Sequence, residues 1–236
     1  MYNSSKGLFY AYAKNINDDW SYRYLITFAT RDVADTWYRA VTDSVASGYQ
    51  RFAAVKRVSL QFYTHDPAGN IPDTITDPKV ALALRGQMFF TLIHDRDARI
   101  LSVIPVLNYS DHISGASFYI RSVAQPDTYW YIDTSKPRSF VVASREHRTR
   151  FTITIADKNR APGTVIIGGD DVYITTVDGT NIGISNQQDI LGHSANPFPL
   201  RFSSFNSDFH IIFFDPSSSL AAVARNPGKG ESWELV

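Results

Sequence analysis

From about residue 113 to its end the chain carries no amphipathic helical period. It is a succession of short β-prone runs cut by turn residues. That restricts the second half to an all-β arrangement, and the runs fall into a loose rhythm. One group reads FYIRSV, YWYID, SFVVAS and RFTITI, from Phe118 to Ile155. The next reads TVIIGG, VYITTV, NIGISN and LRFSSF, from Thr164 to Phe205. A third begins at FHIIFFD (209–215), passes through SLAAVA and ends at SWELV. Each group closes on an aromatic in strand context: Phe151, Phe202 and Trp233. Between two alternating runs, DGTN at 178–181 has hairpin-turn chemistry.

The first half differs. In TRDVADTWYRAVTDSVASG, Val33, Trp37, Val41 and Val45 recur every four residues and share one helical face. Thr30 is the expected N-cap, Asp32 and Asp35 lie near the positive helix end, and Gly48 is the expected stop, giving a helix over 30–47. SYRYLITFAT before it and RFAAVKRVSLQFYTHD after it read as strands, as does GLFYAYAK. The sequence therefore divides into an α+β domain over 1–112 and a β-rich domain over 113–236. The α+β part reads either as half of a ferredoxin-like sandwich or as a strand leading into an amphipathic helix of another module. DPAGNIPDTITDP (66–78) is a loop.

Composition limits the chemistry. Lys plus Arg and Asp plus Glu are 23 each, so no basic excess points to nucleic acid, and no RNP1-like run is present. The chain has no cysteine, which removes disulfides, thiolate metal sites and cysteine nucleophiles. No apolar stretch reaches membrane-spanning length, and the N-terminus lacks a secretory pattern, so a soluble cytoplasmic protein without membrane insertion is expected. Neither Gly-x-Ser-x-Gly nor a P-loop occurs; NPGKGES (226–232) reads as a turn delivering Trp233 to its strand. The six histidines show no metal-ligand spacing. Asp66, Asn70, Asp73 and Asp77 supply oxygen atoms without the EF-hand order. No catalytic residue, metal or cofactor is assigned.

Three groups of β runs, each ending on an apolar aromatic, resemble a β-trefoil. The likeness covers roughly 113–236 and rests on strand pattern; the alternative is an irregular β-sandwich. The Gln-x-Trp tripeptide of ricin-type trefoils is absent, with TRF, LRF and ESW in the matching places. The fold class so implied is mainly β with a smaller α+β N-terminal part. Similarity to the disulfide-free fungal trefoil lectins implies a non-enzymatic carbohydrate-binding protein, with defence or storage as its setting.

The same resemblance implies ligand-binding residues in the loops after the second and third strands of each group. They are Trp130 and Asp133 in the first, and Tyr173, Asp178, Asn181 and Asn186 in the second. An aromatic plane stacks on a sugar ring while Asp and Asn side chains hydrogen-bond its hydroxyls. Glycans or glycoproteins are then the partners, and a homo-oligomer fits because multivalency raises avidity. Two other classes stay open: a trefoil-type protease inhibitor acting through a long loop such as 186–199, and a structural or oligomerisation module.

Overall fold

Strands dominate the computed structural model, which describes residues 7–17, 21–93, 109–135, 139–185, 189–213 and 221–236. The chain forms two units, 1–111 and 112–236.

In the first unit five strands form one sheet: β1 (Phe9–Asn15), β2 (Tyr24–Phe28), β3 (Lys56–Ser59), β4 (Phe62–His65) and β5 (Met88–Leu92), in the order β3-β4-β1-β2-β5. Only β1 and β4 run parallel. The strands flanking the helix, β2 and β3, are separated in the sheet by β4 and β1. Helix α1 (Arg31–Ala46) begins where Thr30 accepts the Val33 N–H at 3.3 Å. It ends before Gly48, whose φ of +97° is a backbone state that L side chains rarely adopt. Its four-residue stripe buries Trp37 completely, against Phe28 at 5.7 Å and Tyr63 at 5.3 Å between ring centroids. Asp35 is buried as well, because Arg57 reaches it at 2.8 Å and Arg31 at 3.4 Å. It therefore serves as the anion of an internal ion pair.

The second unit is a curled, mainly antiparallel assembly. Its strands are β6 (Ala116–Ser122), β7 (Tyr129–Tyr131), β8 (Val142–Ser144), β9 (Arg150–Ile155), β10 (Asp171–Thr176), β11 (Asn181–Ile184), β12 (Leu191–Ser194), β13 (Leu200–Arg201), β14 (Phe209–Phe213), β15 (Ala221–Arg225) and β16 (Trp233–Leu235). The last strand pairs with the first, Trp233 opposite Ser122 and Leu235 opposite Ile120. From β6 the pairing continues through β9 to β10 and then β13. A 3₁₀ turn, Phe202–Asn206, links β13 to β14, and Phe209 bridges Glu231 just before β16.

Three hairpins, β7–β8, β11–β12 and β14–β15, project from this circuit and join through their second strands. Phe140 bridges Gly192, Ile190 bridges Ala224, and Ala222 pairs with Val142. The Val141 N–H donates to the Leu191 carbonyl and the Val223 N–H to the Val141 carbonyl, both at 2.8 Å. Val141, Leu191 and Val223 are all fully buried. Gly192 is required by this approach: a Cβ there would stand 2.8 Å from the Ser139 carbonyl oxygen.

Trp130 lies at the core's centre, with Phe209 at 5.2 Å, Phe205 and Trp233 at 5.7 Å and Phe151 at 6.1 Å. The closing aromatics of the three groups are not all in matching places. Phe151 pairs with Phe118 on β6, whereas in the second group Leu200 pairs with Val172 on β10. Phe202 instead opens the 3₁₀ turn and is half-buried. Leu200–Arg201–Phe202 alternates apolar and charged residues, so Phe202 is in phase with Leu200 and reads as part of the same strand.

Candidate functional site

The second unit carries an open groove of about 820 Å³ beside β8 and β14. Each wall is set by a local device. After β8, the Ser144 hydroxyl accepts the N–H groups of Glu146 (3.2 Å) and His147 (3.0 Å), which turns the chain and carries Arg145 and Glu146 to the rim. Gln125 is placed by its own N–H, which donates to the Ser122 hydroxyl at 3.1 Å. Its side-chain oxygen accepts from Arg145 at 3.1 Å, and Arg145 also faces Asp127 at 3.4 Å.

The opposite side belongs to the turn before β16. Asp208 accepts the Gly228 N–H at 3.0 Å, and the Gly230 N–H reaches the Ser207 carbonyl at 2.6 Å. Hydrogen bonds from Gly228, Ser204 and Ser207, together with Arg225, hold the Asp208 carboxyl below its ordinary range, although burial, the largest single influence, works the other way. The turn so fixed presents Lys229 and Glu231. Glu231 accepts from the Ser122 hydroxyl at 3.1 Å. Strand β14 contributes His210, whose Nδ1 is buried without a hydrogen-bond partner among the described residues, and Phe213, 62% exposed.

The groove is thus lined by the Glu146 carboxylate, the Lys229 ammonium, the His210 ring and the exposed Phe213 ring. Donors and acceptors in one open, predominantly polar depression suit a ligand rich in hydroxyls. A second cleft of about 310 Å³ lies where Ser139 and Phe140 meet β12. It is lined by His193, whose Nε2 is likewise buried and unpartnered among the described residues, and by Ser194. Both clefts flank the ring where neighbouring hairpins join.

The residues expected from the sequence are distributed differently. Trp130 is 0% exposed and has no ring face to offer a ligand; it is the core's central side chain. Asp133 accepts from the Ser135 N–H (3.1 Å) and hydroxyl (2.6 Å), closing its own turn. Asp178 accepts from the Thr176 hydroxyl and, at 3.4 Å, from the Thr180 N–H. The Thr176 hydroxyl is the main reason its carboxyl lies below the usual range, and the Thr134 hydroxyl adds to the effect. The 133–135 and 178–180 turns are therefore neighbours. Asn181 on β11 pairs with Ser194, and Tyr173 on β10 with Thr154; both are half-buried. None of these five lines the larger groove. Asn186 lies outside the described residues.

In the first unit the oxygen-rich loop is internally engaged. Asp66 accepts the Ala68 N–H, Asn70 the Tyr24 hydroxyl, and Asp73 and Asp77 both face Arg51. Among the described residues, no three His, Asp or Glu side chains gather as a metal set, and no helix is long and apolar enough to cross a membrane. The signal for Glu146, His210 and Lys229 was weak: each stands in a turn or strand with no neighbouring motif. Neither the protein-family models nor the curated proteins compared with this chain match it.

Proposed function

We propose that residues 112–236 form a β-trefoil and that the protein is a non-enzymatic carbohydrate-binding protein, taking its ligand in the groove beside β8 and β14. The trefoil reading is supported by the three hairpins joined in a ring through equivalent bridges and by the pairing of the last strand with the first. The observation that carries the functional reading is the groove itself, whose lining includes Glu146, Lys229, His210 and the exposed Phe213. An apolar ring face packs on the C–H face of a pyranose, while the polar groups answer its hydroxyls. The smaller cleft at β12, lined by Phe140, His193 and Ser194 with no charged side chain among the described residues, offers a second position, and two sites on one chain raise avidity for branched or clustered glycans.

A glycan array followed by calorimetry tests this. The expected result is selective binding, weakened about tenfold by Glu146→Ala or Lys229→Ala, the loss of one or two hydrogen bonds, with the glycan recovered intact. Uniform absence of glycan binding overturns the reading.

A further inference from the structure

We propose that Arg148 and Arg150, on the outer wall of the second unit, form a site for a tetrahedral oxyanion: a sulfate or phosphate ester carried on a sugar. That the group is carried on a sugar rests on the glycan reading above; the oxyanion site itself does not.

The geometry begins with two phenol rings. Tyr119 on β6 and Tyr129 on β7 meet edge to face, 6.3 Å apart and 82° between planes. The Arg148 guanidinium sits in the corner they make, 4.4 Å from the Tyr119 centroid and 5.6 Å from that of Tyr129. Arg150, the direct cross-strand partner of Tyr119, places its own guanidinium 5.6 Å from the same ring. Two like charges are thus held on one aromatic side chain, and both arginines are exposed.

Four of the five other described arginines of this unit form an ion pair. Arg121, Arg145, Arg160 and Arg201 each have a carboxylate partner, Glu234 at 2.7 Å, Asp127 at 3.4 Å, Asp157 at 3.8 Å and Asp171 at 3.5 Å. Among the described residues Arg148 and Arg150 have none, and Arg150 donates only to the Ser117 carbonyl, at 3.3 Å. The chain as a whole is neutral, so this pair is a local feature and not part of a general basic field. Stacking engages the flat face of a guanidinium and leaves its in-plane N–H groups pointing outward. Both forks are anchored within 5.6 Å of one ring centroid, and the several oxygens of a sulfate or phosphate ester can accept from two cations held so near each other.

The test uses the full chain and four probes: inorganic sulfate, a sulfated oligosaccharide, its desulfated counterpart and the matching sugar phosphate. The wild type is expected to prefer the sulfated or phosphorylated sugar to the neutral one by about tenfold or more, the scale of charge-assisted hydrogen bonds. Which of the two esters binds better identifies the natural group. Arg148→Ala with Arg150→Ala should reduce affinity to that of the desulfated sugar without moving the thermal melt, since both side chains are exposed. The double Lys variant, which keeps charge but loses the planar fork, should fall between. Equal affinity of wild type and the double Ala variant for the sulfated sugar overturns the site. Inorganic sulfate that shifts the Arg148 and Arg150 side-chain N–H resonances while no glycan binds keeps the oxyanion site and removes the glycan reading.

Discussion

Asp35 and Arg57 meet at 2.8 Å with side chains only 6% and 4% exposed, an ion pair between α1 and β3 inside the first unit. Burial pushes the Asp35 carboxyl up, against the pull of Arg57 and Arg31. Removing the acid leaves Arg57 with Asp111 alone, at 3.0 Å. Asp35→Ala should destabilise the first unit by about 3 kcal/mol, whereas replacing Asp35 and Arg57 together by apolar residues should cost less than that single change. Chemical denaturation of the three variants decides; a double variant weaker than the single one contradicts the account.

Tyr63 offers the opposite case. Its hydroxyl is buried with no hydrogen-bond partner among the described residues, and burial raises its pKa. Tyr63→Phe removes a desolvated group at no cost in packing, so stability should hold or rise by about 1 kcal/mol. A loss of more than about 1 kcal/mol in denaturant would reveal a partner for that hydroxyl.

His65 makes stability depend on pH. It is fully buried, with Nε2 2.9 Å from the Tyr22 carbonyl and Nδ1 3.3 Å from the Asp66 carbonyl. Burial lowers its pKa in spite of both carbonyls. The folded state then binds fewer protons than the unfolded one, so stability is level above about pH 6.5, falls as pH drops below that value and levels off beneath the folded pKa. Thermal melts from pH 7.5 to 5 should show the fall, and His65→Asn should flatten it.

Two changes probe the second unit. Gly192→Ala drives a methyl group into the Ser139 carbonyl and should cost about 1–3 kcal/mol. Deleting residues 231–236 removes Trp233, which is 3% exposed and donates from Nε1 to the Phe209 carbonyl at 3.2 Å. The truncated chain should lose the cooperative melt of its β-rich half, and a melt that survives would mean that β16 is dispensable.

How much of this was legible before the structure depends on the range of each interaction. The helix was readable because its period, its Thr30 cap and its glycine stop all lie within nineteen residues. In Tyr129–Trp130–Tyr131 alternation says that the tryptophan faces away from its neighbours, but not which side is inward; packing from Phe151, Phe209 and Trp233 decides that. The groove was illegible for a related reason. Gln125, Glu146, His210 and Lys229 are brought together by hairpin junctions and turns that no local pattern encodes. Asp178 was readable as a turn residue from DGTN, and the structure bears that out; the ligand role of Asp133 and Asp178 came from the trefoil resemblance, and the Ser135 contacts that engage Asp133 carried no comparable pattern.

The pairing of β16 with β6 also bears on how the unit comes into being. Val236 exchanges hydrogen bonds with Tyr119 at 2.8 and 2.9 Å across more than a hundred residues of chain. Contacts of such separation are slow to form, because the entropy of closing the intervening loop must be spent before they stabilise anything. During synthesis, β6 must wait for β16 with its edge unpaired on that side. Over that interval the nascent unit depends on its local hairpins, and on whatever shields an open strand edge from other chains.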